Sequence, residues 1–444
     1  MRSRAYGSVA VNQVDVVKLA QGRPGQDVVI GADMGKHRLM AVCRWPDGRY
    51  ERPWRVANPL EIPVLVRQLQ QLGQDRRLRV ALEPSGTYGD ALRQALHDAG
   101  IEAVRISPKA AHDYAEVFDG VPSQHDGKDA AVVAELAATG KGKAWEYEAA
   151  PDWERELIYW VERLAWFQRL HAQGLGSLEA LLGRHWPEAS SVLEVSSATL
   201  LRVLRRYGGP AALAADATAA ERLAHWGGRY LSMSKIERLL AGARSSVGVR
   251  QGEWEVRRVR EEAEQTYAAR REVGRCKGQL RRLAEGQAVL QAQGQVVGVA
   301  TACVLWACVG DPRGYHCAEA YRKAMGLNLT ERSSGTYQGK LKISKRGQPR
   351  ARQWLYLASL RLVQQAGVSA WYQAKKARDA QQAKRALVAV MRKLALALHA
   401  IGVTGAAFEA RRLFARIRKV AAVAARSEEP GKESPRTAQL GGGV

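Results

Sequence analysis

The sequence predicts an α/β domain at the front of the chain, a long helical middle and a mainly helical C-terminal region. Three observations carry this reading. Short apolar runs separated by turn residues fill the span 27–143, such strand signals become few from 151 to 290, and a charged stretch from Glu253 to Leu290 repeats apolar residues at roughly helical spacing. At 444 residues the chain has room for several domains, since a single core rarely grows beyond about 250 residues.

Residues 1–26 lack a sustained period and contain Gly22, Pro24 and Gly25, so a loosely held leader is expected there. Val28, Val29 and Ile30 then open a first strand running into Gly31-Ala32-Asp33. A second strand spans Leu39 to Cys43, a turn falls at Pro46-Asp47-Gly48, and a third strand covers Tyr50 to Val56, giving a meander. Asn58 is placed to cap a helix with Pro59 at its first position and Glu61 near its third, with Leu65, Leu69 and Leu72 on the inner face. A strand at Leu78–Leu82, a helix after Gly86 and a strand from Ile101 to Ile106 complete a β-β-β-α-β-α-β order ending near Lys143.

From 151 to 290 the composition favours long helices, with a coiled coil as one form they could take. Leu157, Trp160, Val161 and Leu164 keep helical spacing, as do Val256, Val259, Ala263, Tyr267, Leu280 and Leu283 imperfectly, with further helices between Leu178 and Leu239. A third, mostly helical region follows from 294 to 418, and 419–444, with Glu428-Glu429-Pro430 and Gly441-Gly442-Gly443, reads as a disordered tail.

Lys and Arg number 68 against 44 Asp and Glu, a net charge of +24 that favours a polyanionic partner, nucleic acid first. No apolar run is expected to reach the ~20 residues of a membrane span and no signal peptide opens the chain, so a soluble, intracellular protein is expected. Cys43, Cys276, Cys303, Cys308 and Cys317 show neither Cys-x-x-Cys nor zinc-type spacing and read as buried free thiols.

The chemistry is expected at four acids. Asp33 ends one apolar strand and Glu83 ends another, while Asp126 and Asp129 stand three apart at the start of a helical segment and share a face. Such acids meet at the carboxyl ends of a sheet, where open α/β folds place their sites. Hard oxygen ligands suit Mg²⁺, and two such ions stabilise both the attacking and the leaving oxygen at a phosphate. An acid after the first strand, another after the fourth and a pair on a later helix follow the ribonuclease-H-like nuclease plan.

Ile30-Gly31-Ala32-Asp33, Leu82-Glu83-Pro84-Ser85-Gly86-Thr87-Tyr88 and Asp126-Gly127-Lys128-Asp129-Ala130 resemble the Asp-Glu-Asp-Asp signature of the RuvC-like domain in Piv/MooV-type (IS110-family) insertion-sequence transposases. The resemblance implies Asp33, Glu83, Asp126 and Asp129 as metal ligands, with Mg²⁺ as the cofactor. Further along, Gly326-Leu327-Asn328-Leu329-Thr330-Glu331-Arg332-Ser333-Ser334-Gly335 and Ser344-Lys345-Arg346-Gly347 resemble the C-terminal transposase domain of the same family. That likeness implies a nucleophilic serine before a glycine, at Ser334, with Ser333 the adjacent alternative. Arg332, Lys340, Lys342, Lys345 and Arg346 flank it as candidate phosphate contacts, and Ser344 reads as a phosphate contact or as a cap of the helix near Pro349. The run Leu355, Leu357, Leu360, Leu362 reads as core. Gly294 to Gly310 resembles a helix-hairpin-helix without the usual proline and second glycine, and Met391-Arg392-Lys393-Leu394 offers a basic pair on an exposed helix face.

A DNA recombinase acting through a phosphoserine link is the implied activity. Family resemblance further implies donor and target DNA, a noncoding bridge RNA pairing with both, a homo-oligomer from dimer to tetramer, and a cytoplasmic, nucleoid-associated bacterial setting. Two rivals differ in chemistry: a RuvC-like nuclease or junction resolvase using water, which needs the four acids but not Ser334, and an inactive nucleic-acid-binding remnant.

Overall fold

The computed structural model describes residues 7–23, 25–84, 86–119, 125–145, 150–331, 333–334, 337–339 and 341–414. The chain divides into two compact units, Met1–Ala149 and Ala150–Val444.

The first unit is a seven-stranded mixed sheet. Its strands are β1 (Val9–Ala10), β2 (Val28–Met34), β3 (Arg38–Arg44), β4 (Trp54–Ala57), β5 (Leu78–Leu82), β6 (Glu102–Arg105) and β7 (Lys143–Ala144), in the spatial order β1-β4-β3-β2-β5-β6-β7. The β2–β3–β4 meander is antiparallel, and β5 and β6 add in parallel on the other side of β2. This fits a RuvC-like α/β domain. The helices are α1 (Val16–Ala20), α2 (Ile62–Leu72), α3 (Asp90–Asp98), α4 (Pro108–Asp119) and α5 (Asp126–Ala138).

The alternation of a strand explains how the two faces are filled. Val28, Ile30 and Ala32 of β2 and Leu78, Val80 and Leu82 of β5 join one core with Leu65, Leu69 and Leu72 of α2 and Leu92 and Leu96 of α3. Val29 and Ala81 face the other way, into a core shared with Ala111 and Ala115 of α4 and Val132, Val133 and Ala134 of α5. Burial on both faces is why the central strands read as continuous apolar runs.

Three local expectations are corrected. Of the expected leader, the described residues from Gly7 on are held: β1 pairs in parallel with β4, and Val11 and Val16 are buried in the first core. The third strand starts later than Tyr50, which makes only an isolated bridge to Arg44. Asn58 does not cap α2, whose N-cap is Glu61; its side chain is engaged elsewhere, as described below.

In the second unit two long helices, Asp152–His185 and Glu253–Glu285, pack against each other. The ion pairs Arg282–Glu156 (3.3 Å) and Arg163–Glu272 (3.4 Å) run in opposite senses along the two helices, so the pair is antiparallel. Gly174 permits the approach, since a Cβ there would lie 2.1 Å from Oγ1 of Thr266. One end of the pair, through Leu178, Leu182, Val259 and Ala263, shares a core with a bundle of short helices spanning 187–244. The other end, through Leu157, Trp160, Val161, Leu164, Cys276 and Leu280, joins the C-terminal helices.

Those C-terminal helices include Ala288–Val297 and Val299–Val309, joined through Gly298 alone, then Pro349–Leu362 and Ala383–Thr404. The hairpin at Gly298 is therefore present, but Thr301–Trp306 behind it is buried core. Of the leucine run, Leu355 and Leu362 are buried and Leu357 and Leu360 are exposed, because a helical period of 3.6 cannot bury all four. Against expectation, Ala383–Thr404 is long and apolar enough to cross a membrane; half of its apolar window is buried inside the protein, with Leu387, Val390, Met391, Leu394 and Leu398 in the core. The five cysteines are free, Cys43, Cys276 and Cys303 buried and Cys308 and Cys317 only partly so. Residues 419–444 of the expected tail lie outside the described residues.

Candidate metal centre and nucleophile

The register of β2 and β5 sets the first two acids side by side. Gly31 is level with Ala81 and Ala32 with Leu82, so Asp33 and the residue after β5, Glu83, stand at the same height on adjacent parallel strands. By strand alternation Asp33 follows Val29 and Gly31 onto the face covered by α5, and Glu83 follows Ala81 onto that same face. The helix brings the other two. Asp126 is the first residue of α5 and Asp129 lies one turn later, with His125 as the N-cap, its Nδ1 accepting from the Lys128 backbone N–H at 3.1 Å.

Two features hold α5 in place. Gly31 has no side chain because the helix backbone occupies that space: a Cβ would lie 2.0 Å from the Ala130 carbonyl oxygen and 2.6 Å from the Ala134 nitrogen. Lys128, almost fully buried, pairs with Asp119 at the end of α4 at 2.6 Å.

The carboxylates act on one another electrostatically. Asp33 is pushed up to about 6, first by burial and then by the charges of Asp129, Asp126 and Glu83. Burial and then Asp126 raise Asp129, opposed by His125 and Lys128. Burial and then Asp129 raise Glu83, with His112 of α4 pulling it down. Yet among the described residues no three His, Cys, Asp or Glu side chains are gathered tightly enough to hold an ion. Four carboxylates of like charge are a donor set that suits a hard divalent cation.

Sequence reasoning missed Asn58. Its Nδ2 donates to the Gly35 carbonyl at 2.8 Å and to the Tyr88 carbonyl at 3.1 Å. One buried amide thus ties the loop after Asp33 to the loop after Glu83. Its local surroundings, Asn-Pro-x-Glu, satisfy a capping rule equally well, so only the tertiary partners reveal the tie. His112 beside Glu83 was also missed; its signal was a histidine in the helix that follows a strand of the same sheet.

The serine lies in the second unit, on an antiparallel hairpin. Leu329–Thr330 pairs with Lys342–Ile343, and Ser333–Ser334 with Tyr337–Gln338. Both serines are exposed, as are Lys342, Lys345 and Arg346, whereas Arg332, Gly335 and Lys340 lie outside the described residues. The base of the hairpin is pinned. Arg352 donates from Nη1 to the Met325 carbonyl at 3.1 Å and the Gly347 carbonyl at 3.0 Å, and a Cβ on Gly347 would lie 2.3 Å from the Ala324 oxygen. Ser344 does not cap the helix at Pro349, whose N-cap is Gln348; its Oγ accepts from the Arg346 backbone N–H at 3.3 Å. A serine at such a tip meets solvent freely, and no base is positioned to activate it among the contacts of the described residues.

Elsewhere in this unit the basic pair Arg392-Lys393 is half-buried rather than exposed. Lys393 donates to the Leu413 carbonyl at 2.9 Å and lies over the Trp371 ring at 5.4 Å. Burial and then the charge of Arg322 lower Arg392, and the Nε atoms of both arginines are buried without a hydrogen-bond partner.

Compared with known families, residues 30–163 match the model of DEDD transposases of the IS110 type, described as "Transposase", and residues 292–376 match the one described as "Transposase IS116/IS110/IS902 family". No curated protein matches the chain.

Proposed function

The chain belongs to the IS110-family DEDD transposases, DNA-processing enzymes of insertion sequences, and from that premise we propose how it works. Asp33, Glu83, Asp126 and Asp129 hold Mg²⁺, and Ser334 is the nucleophile that joins donor to target DNA. What carries the metal assignment is the register of β2 and β5, which levels Asp33 with Glu83 under a helix that presents Asp126 and Asp129. When bound, a divalent cation would stabilise negative charge on the oxygens at the reacting phosphate.

Ser334 provides the covalent step. Its Oγ forms a new bond to a DNA phosphorus as the bond from that phosphorus to the leaving sugar oxygen breaks, and the hydroxyl proton ends on that leaving oxygen. One phosphodiester replaces another, so attack by a second DNA hydroxyl reverses the step onto a new strand and returns the proton to serine. Exposure of Ser334 at a hairpin tip gives a DNA duplex access to the hydroxyl, and Lys342, Lys345 and Arg346 lie on the same hairpin to grip phosphates. Ser333 is the neighbouring alternative.

Sequence choice in this reading comes from a bridge RNA that pairs with both DNAs, the protein reading backbone and shape, in a homo-oligomer. The net charge of +24 supports a load of several polyanions. Alanine at any of the four acids tests the metal assignment: strand exchange should vanish while nucleic-acid binding persists. Exchange near the wild-type rate in two or more of these variants would discard it.

A further inference from the structure

Residues 164–291 lie between the two spans that match the transposase family. Within them, an open pocket of about 460 Å³ is lined by Arg202, Arg205, Arg206, Trp226, Arg260 and Glu264. Four guanidiniums face a single carboxylate there. Arg205 pairs with Glu264 at 2.6 Å, but Arg202 and Arg260 are aimed by neutral oxygens: Arg202 donates to the Trp226 carbonyl at 3.2 Å and to the Tyr267 hydroxyl at 3.3 Å, and Arg260 to the Tyr207 carbonyl at 3.3 Å, while Arg206 lies over the Tyr207 ring at 5.9 Å. The Tyr267 ring backs two of them, 4.5 Å from Arg205 and 5.8 Å from Arg202.

Bringing four like charges together opposes folding, and the single carboxylate of Glu264 offsets only part of it. Carbonyl and phenol oxygens fix the direction of a guanidinium while leaving its charge uncompensated. Planar forks held in this way suit phosphate oxygens, which they meet through paired, charge-assisted hydrogen bonds. The size falls within the roughly 300–1,000 Å³ usual for small-ligand pockets, enough for a nucleotide unit rather than a bare ion. Trp226, half-buried on the lining, presents an aromatic surface to a sugar or base.

We propose that this pocket in the helical middle binds the sugar-phosphate backbone of a nucleic acid. The chemistry is common to DNA and RNA, and the middle of the chain thereby becomes a grip remote in sequence from both the carboxylates and Ser334. It depends on neither, so its failure would leave the strand-exchange reading untouched.

The test uses the full chain, a fluorescein-labelled 20-bp DNA duplex and an RNA hairpin of the same stem sequence, with anisotropy read over a series of KCl concentrations. The double variant Arg206→Glu/Arg260→Glu should bind at least one probe ~10-fold more weakly, with a log–log salt slope shallower by about two, as expected for two lost phosphate contacts. Lys235→Glu/Arg238→Glu makes the same charge change at two exposed positions of a helix in the same bundle and should weaken binding less than about 3-fold. Arg206→Gln/Arg260→Gln, with circular dichroism on every variant, gives the same reading should the reversed charges disturb folding. Loss on the RNA probe, the DNA probe or both identifies the ligand; pocket variants that match the control pair on both probes overturn the proposal.

Discussion

Asp33 is held up to about 6 by burial and by the charges of its neighbours, against an ordinary aspartate value of 3.8. Between those values the folded protein binds more protons than the unfolded chain, so stability falls as pH rises through that window and stays lower above it. In metal-free protein, melting temperature should therefore drop between about pH 4 and pH 6.5. Asp33→Asn should flatten that drop and raise the melting temperature at pH 7.5, and Mg²⁺ should stabilise the wild type but not the variant. A pH profile unchanged by Asp33→Asn would mean that burial and the neighbouring acids do not raise Asp33. Asn58 belongs to the same scale. Removing its amide leaves two carbonyls without their donor, so Asn58→Ala should cost about 1–3 kcal/mol in urea unfolding and raise the Mg²⁺ needed for half-maximal exchange. Asn58→Asp should be worse, because a carboxylate accepts where the loops need a donor; equal behaviour of the two variants would argue against the tie. The acids were legible because each ends a strand or opens a helix. Asn58 was not, since its function depends on carbonyls 23 and 30 residues away in the chain.

At the scale of elements, the decisive contact is α5 on β2, which only a glycine at 31 allows. Gly31→Ala should therefore displace α5 and with it Asp126 and Asp129, destabilising the protein by about 1–3 kcal/mol as overpacking does and abolishing exchange. An alanine variant with the wild-type urea midpoint would place α5 elsewhere. The strand–helix order of the first unit followed from its apolar runs and turns, because local pattern and tertiary burial agree there. Where they part, the sequence misled. Nothing local tells that Val9–Ala10 adds to β4, and a leucine at every second or third position of Pro349–Leu362 looks continuous until the helical period sorts Leu355 from Leu357. The long helices were evident from composition, whereas their antiparallel pairing is set by contacts such as Gly174 against Thr266, almost a hundred residues apart.

For the whole molecule, a charge of +24 should make binding to donor or target DNA strongly salt-dependent, since every phosphate neutralised releases counterions. A flat affinity between low and moderate salt would assign the charge to another partner. Charge alone does not separate recombination from hydrolysis, and neither do the four acids, which a water-using nuclease would need as well. The covalent link does. Trapping the protein on a DNA substrate under denaturing conditions and locating the modified residue by mass spectrometry tests the account most directly. Phosphodiester-linked DNA on Ser334 is expected, absent from Ser334→Ala and retained in Ser333→Ala; Mg²⁺-dependent nicking by a fully active Ser334→Ala protein, with no adduct at any residue, would contradict it.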